Sequence, residues 1–155
     1  MPAWEVFKFG GTSVSSAANY LKCADIVLSQ MKSLPSSASS FAVVVSAMGG
    51  KPKTTDLLLN LVKSASGRRN DEVEEGMRVI REKHLNCINE LGLGDEERDR
   101  LTAVISADLK SIQDVLRTVS LMKWNPAKIS SLVAGYGEIW SGQILTRYDI
   151  ISKSP

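Results

Sequence analysis

Two glycine-bearing stretches and one glutamate hold the residue types that could do chemistry in this chain. The first is Lys8-Phe9-Gly10-Gly11-Thr12-Ser13, where an apolar run carrying one lysine ends in two glycines and two hydroxyls. An amphipathic helical pattern begins at about Val14. Strand, glycine turn and helix start together suit an anion. Glycine lets backbone approach a ligand closely, and the first N–H groups of a helix have no internal partner. A phosphate placed there gains roughly 0.3–1 kcal/mol from the helix dipole when exposed, and up to about 2 kcal/mol when partly buried. Lys8 would add a full positive charge at the same place. A plain strand-to-helix turn, with a lysine reaching solvent, accounts for the same residues. The segment fits neither the Walker phosphate-loop pattern nor the dinucleotide glycine fingerprint.

The second stretch is Ser46-Ala47-Met48-Gly49-Gly50, followed by Lys51, Pro52, Lys53, Thr54 and Thr55. Here again an apolar run gives way to small residues and glycines before a helical pattern. Two glycine loops after two parallel strands would face one crevice, since ligands of open α/β sheets collect at the carboxyl ends of strands. Two tight crossover loops are the simpler reading of the same pattern. The glutamate is Glu138, set among Gly135, Gly137 and Gly142. Each glycine weakens a helix by roughly 1 kcal/mol relative to alanine. Close packing or a ligand beside the backbone would give them a reason. On a helix Glu138, Ser141 and Gly142 share a face, where a carboxylate could receive an ammonium group. A surface glutamate on a glycine-rich bend is the bland alternative.

The elements that must position these residues read as α/β. Residues 4–9 and 41–45 are short apolar runs suited to buried strands. The intervening stripe of Ala17, Leu21, Ala24, Val27, Leu28 and Met31 makes a helix, and serines with Pro35 end it. Such a βαβ unit requires parallel strands covered on both faces. Leu57, Leu58, Leu61 and Val62 begin a second helix. Residues 71–91 and 95–122 form a charged helical hairpin broken at Gly92 and Gly94, with Asp95 resembling an N-cap. The charge runs at 71–75 and 95–98 are solvated faces without assigned chemistry. Asn125-Pro126 stops the hairpin, and a last helix is expected over 128–148.

At 155 residues the chain has room for one domain with a real core. Hydrophobic content of 43%, charged content of 23% and a net charge of +2 are ordinary for a globular protein and point to neither nucleic acid nor membrane as partner. No apolar run is long enough to span a bilayer. No targeting segment precedes the first strand, so a cytoplasmic location is expected, a plastid one staying open if the amino terminus is incomplete. Cys23 and Cys87 fall on separate helices and read as reduced, buried thiols. His84 is the single histidine and reads as structural.

The seven residues Lys8 to Val14, close to the amino terminus, resemble the opening signature of aspartokinases, within the amino acid kinase family. The resemblance implies that Lys8, Phe9, Gly10 and Gly11 lie against the ATP phosphates, with Lys8 catalytic. Ser46-Ala47-Met48-Gly49-Gly50 and the following threonines are similar to the family's second block, which implies aspartate contacts for Ser46 and Thr55, with Thr54 as the register alternative. Gly137-Glu138-Ile139-Trp140-Ser141 is similar to the third, whose glutamate holds the amino group of aspartate. Gly135 stands where a serine is more usual.

By the same resemblance, the fold is expected to be a partial amino acid kinase fold in one incomplete domain over 1–155. The reaction implied is transfer of the γ-phosphoryl group from ATP with Mg2+ to the side chain of L-aspartate. In the family, the product 4-phospho-L-aspartate leads to lysine, threonine and methionine. An arginine, a catalytic aspartate, the adenine pocket and the regulatory ACT domains of the family would lie outside this chain. The full-length family could form homo-oligomers. A half-sheet lacking its other strands should expose an apolar edge and associate. A non-catalytic fragment is therefore the alternative expectation, and a kinase for another small acid a weaker third.

Overall fold

A computed structural model describes residues 4–33, 40–122 and 126–151. The parallel pair expected from the two apolar runs is present. Strand β1 (Trp4–Phe9) lies beside β2 (Ser40–Val45), with Trp4 opposite Ser40 and Phe9 opposite Val45. Helix α1 (Ala17–Ser33) connects them, so the first three elements form the anticipated βαβ unit. The serine- and proline-bearing connection at 34–39 and the stop at Asn125 lie outside the described residues. Four helices follow: α2 (Thr54–Ser66), α3 (Asn70–Glu90), α4 (Asp95–Met122) and α5 (Pro126–Ile151).

Helix α2 packs against α3, α4 and α5, and α5 reaches back to α1 and β2. The hairpin is antiparallel, since Arg68 bonds the carbonyl of Ser120 while Arg81 bonds the hydroxyl of Ser106. Gly92 takes φ +70 just past the end of α3, a conformation that costs glycine nothing. The heptad-like run Leu101, Ile105, Leu109, Ile112, Leu116 and Val119 faces inward on α4, all buried. The charged stretches form short ion pairs such as Arg69–Glu72 and Arg98–Asp95 between exposed side chains, each worth little.

Three expectations need correction. Asp95 is the first residue of α4 and not its cap, because the Gly94 carbonyl already accepts the Arg98 N–H. The first α-helix does not begin at the glycine turn. A single 3-10 turn (Gly11–Val14) intervenes, and α1 starts at Ala17, where the Ser16 carbonyl takes the N–H groups of Asn19 and Tyr20. The serines at 15 and 16 favour such a break, since their hydroxyls compete for backbone groups. Finally, among the described residues the sheet is covered on one face only. Phe9, Val43 and Val45 pack on the core, while Trp4, Val6 and Val44 are 63%, 64% and 49% exposed. The pleat alternates these two sets, and the described helices serve only one of them.

The core also holds polar side chains. Tyr20 and Ser141 share a buried hydrogen bond of 2.7 Å that ties α1 to α5. His84 is fully buried, with Nδ1 donating to the Ile80 carbonyl at 2.8 Å and its ring edge-on to Trp140 at 4.9 Å. Trp140 in turn donates to Asp108 at 2.8 Å. Burial pushes the His84 pKa from 6.5 down to about 4, so the imidazole is neutral in the fold. The unfolded chain takes up a proton near pH 6.5, whereas the folded chain resists it until about pH 4. Stability is therefore complete above pH 6.5 and falls as pH drops towards 4, by roughly 3 kcal/mol in all. Urea unfolding across this window should show the loss, and His84→Leu should remove that component of the slope.

Candidate functional site

The two glycine loops leave the carboxyl ends of β1 and β2 and touch. The Ser46 N–H donates to the Phe9 carbonyl at 3.0 Å, extending the ladder one step beyond the strands. The Gly49 N–H then donates to the Gly11 carbonyl, also at 3.0 Å. A Cβ on Gly49 would stand 2.1 Å from that carbonyl oxygen, so no other residue fits there without moving the loops apart. A Cβ on Gly11 would stand 3.2 Å from the Ala47 carbonyl and 3.7 Å from Ser46 Oγ. Gly49 is thus required by backbone approach, and at Gly11 a side chain would make a tight contact with the Ala47 carbonyl. Between the loops lies a crevice of about 220 Å3 whose lining includes Gly11, Thr12, Ser46, Gly49, Lys53 and Thr55.

The first loop is held from behind by α1. Asn19 donates to the Thr12 carbonyl at 3.2 Å and to Ser15 Oγ at 2.9 Å, and Ser15 Oγ donates to the same carbonyl. Cys23 Sγ points at the Ser13 carbonyl, 3.2 Å away. The second loop is anchored by the Thr54 N–H on the Met48 carbonyl at 3.1 Å, where α2 begins. Thr54 is buried with Oγ1 unpartnered among the described residues, whereas Thr55 lines the crevice. Of the two register choices, Thr55 is therefore the one that lines the crevice.

Helix α5 meets the same loop at Gly137. A Cβ there would stand 2.7 Å from Ala47 Cβ and 3.3 Å from Thr54 Cγ2. Glu138, the next residue, is exposed beside this closest approach. Ser141 does not join it, because it turns inward to Tyr20. Lys8 is exposed and shares the uncovered sheet face with Trp4 and Val6, while Phe9 sends its ring toward the core. Gly11, Ser46 and Thr55 thus share the crevice. Lys8, Phe9, Gly10 and Glu138 are not part of its lining.

Two further lysines belong to this region. Lys53 precedes α2 and lines the crevice. Lys83, on α3, reaches the second loop from below and donates to the Gly49 carbonyl at 2.5 Å. Its position three residues after buried Ile80 and four before buried Cys87 was the signal for an inward-facing lysine. Burial raises the Cys87 thiol to about 12 and also raises Cys23, so both stay protonated and unreactive at neutral pH.

A βαβ unit with facing glycine loops, backed by a helical hairpin, is a partial amino acid kinase fold. The chain is 34% identical over 143 residues to bifunctional aspartokinase/homoserine dehydrogenase 1, chloroplastic, of Zea mays, covering 92% of this chain and 14% of that protein. Aspartokinase 2, chloroplastic, of Arabidopsis thaliana is 32% identical over 145 residues, covering 92% of this chain and 24% of that one. The fold matches E. coli aspartokinase III, solved in complex with lysine and aspartate, with a TM-score of 0.71 and 26% identity over 92% of this chain and 28% of that one. No protein-family model matches the chain. The chain is a relative of the aspartokinases over nearly its whole length, and it spans about a quarter or less of the curated relatives it matches.

The glycines of α5 can be told apart by experiment. Gly135 has nothing within 4 Å of a Cβ, whereas Gly137 has Ala47 and Thr54. Gly135→Ala should stabilise the chain by about 1 kcal/mol through helix propensity alone. Gly137→Ala should destabilise it by about 1–3 kcal/mol by levering α5 off the second loop. Chemical denaturation of both variants checks the pair.

Proposed function

We propose that this chain supplies the phosphate loop and the amino-acid loop of an aspartate kinase. L-aspartate is the acceptor, with Ser46 and Thr55 bonding it and Glu138 receiving its ammonium group. The γ-phosphoryl group of ATP lies on the backbone of Gly10 and Gly11, and Lys8 offsets its charge. Transfer runs in line to the side-chain carboxylate. That nucleophile is already an anion, so no general base is needed, and catalysis reduces to positioning and charge neutralisation. The observation that carries this reading is the contact between the two loops, which leaves Ser46 Oγ 3.7 Å from where a Gly11 Cβ would stand.

The crevice of about 220 Å3 suits an amino acid or a terminal phosphate. It falls short of the roughly 300–1,000 Å3 typical of pockets for larger ligands. The nucleoside would therefore bind outside this crevice. The described residues hold no group of three or more His, Cys, Asp or Glu able to bind a metal. On this reading magnesium accompanies ATP. The plant relatives are named as chloroplastic, which makes the plastid the proposed compartment.

Isotope-labelled chain titrated with L-aspartate should show saturable shifts at the amides of Ser46, Ala47 and Thr55. Ser46→Ala should weaken that binding about tenfold, the worth of one hydrogen bond to a charged ligand. Phosphorylation of L-aspartate, followed with MgATP, should be abolished by Lys8→Ala. Absence of any L-aspartate binding would remove the proposal.

A second reading, a non-catalytic assembly module, is favoured by the uncovered sheet face. Trp4, Val6 and Val44 form an exposed apolar row on a two-stranded sheet. Two strands alone are marginal in water and invite further pairing. On this reading the chain self-associates without turnover. Val6→Lys combined with Val44→Lys should shift it towards monomer in sedimentation velocity while leaving helical content unchanged.

A further inference from the structure

Helix α3 presents its charges mostly to solvent, and Lys83 is the departure. Its side chain is half-buried, and Nζ donates both to the Gly49 carbonyl, at 2.5 Å, and to the Pro52 carbonyl. These carbonyls bracket the turn at 49–52, where Gly50 adopts φ +88. Nζ also lies 3.7 Å from where a Gly50 Cβ would stand. Burial lowers the pKa of this ammonium group, and no carboxylate among the described residues opposes that shift. Both bonds are donated to carbonyls, which can only accept. The lysine is thus spent on the shape of one loop.

We propose that Lys83 is a positioning residue of the crevice, which pins both ends of the 49–52 turn to α3 and so presets the Ser46 and Thr55 loop for its anionic ligand. This rests on the aspartate-binding reading above. A loop left free would have to be ordered when the ligand arrives, and that cost would be subtracted from affinity. Bonds from an ammonium group are roughly twice as strong as neutral ones, so two of them can hold a turn whose residues 50–52 are exposed. The Gly49 N–H, which joins the loops, belongs to the residue whose carbonyl Lys83 holds.

The test compares Lys83→Met, which keeps the stem and removes the donors, with Lys83→Arg, which restores a cationic donor. Amide exchange is read at Gly49 and Thr54, with Leu109 and Ile112 of α4 as references, and L-aspartate affinity is measured on the same samples. Lys83→Met should speed exchange at Gly49 at least tenfold and weaken L-aspartate about tenfold, with the α4 amides unmoved. Lys83→Arg should recover part of both. A merely structural lysine would move the α4 amides equally, and that result overturns the proposal. So does unchanged exchange at Gly49, or unchanged affinity once the loop has loosened. Should Lys83→Met unfold the chain, Lys83→Gln allows the same comparison. If the unaltered chain does not bind L-aspartate, the functional reading falls, and exchange at Gly49 alone decides whether the clamp stands.

Discussion

The hydrogen bond from the Gly49 N–H to the Gly11 carbonyl is the constraint on which the rest of the structure depends. It exists only because Gly49 carries no Cβ, since one there would overlap the oxygen it must approach. Backbone crossing backbone at this distance brings two loops from different strands together. It also leaves the flanking side chains, Thr12, Ser46 and Thr55, around a single crevice. The ladder bond from Ser46 to Phe9 adds a fixed register behind it, so the loops meet at a set point along both strands. A parallel pair is suited to this role, because its two carboxyl ends emerge on the same side.

The helices act mainly on the backs of those loops. Helix α1 bonds the carbonyl of Thr12 through Asn19, α2 bonds that of Met48 through the Thr54 N–H, and α3 bonds that of Gly49 through Lys83. Helix α5 supplies shape instead of polarity, pressing the bare face of Gly137 on Ala47. Its own position is fixed by the Tyr20–Ser141 bond and by Trp140, which is wedged between His84 and Asp108. Buried polar groups of this kind are costly to leave unpaired, and so specify one arrangement of α1, α3, α4 and α5 over near alternatives.

Much of this was legible in the residues. The two apolar runs, their glycine endings and the 3.6-residue stripes of α1 and α4 led directly to a βαβ unit and a hairpin. The first two motif blocks led to Gly11, Ser46 and Thr55, which share the crevice, while Lys8, Phe9, Gly10 and the third block's Glu138 stand outside its lining. Other features depended on tertiary context. Ser15 and Ser16 could have been the first turn of a helix, and the carbonyl partners found by Asn19 made them a break. Ser141 had the spacing to stand beside Glu138, yet a tyrosine over a hundred positions away drew it inward. Gly135 and Gly137 look alike in sequence, and only the position of Ala47 separates a dispensable glycine from a required one. Lys83 was hidden by its charged neighbours, although its spacing to Ile80 and Cys87 already placed it on the buried side.

The uncovered sheet face bears on chemistry as well as on association. Lys8 alternates with Trp4 and Val6, so it emerges on that face and not on the one packed by helices. In open solvent its charge is screened at high dielectric, where an ion pair at contact distance is worth about 1 kcal/mol or less. A catalytic role asks more of it, because stabilising a transferring phosphoryl group requires a fixed donor in a site from which water is excluded. The same covering that would bury Trp4, Val6 and Val44 would also enclose the stem of Lys8 and lower the dielectric around its ammonium group. Burial of the apolar row and desolvation of Lys8 would therefore be a single event in physical terms. On the proposed reading, the crevice bounded by Gly11 and Gly49 would bind L-aspartate before that event, whereas phosphoryl transfer would depend on it.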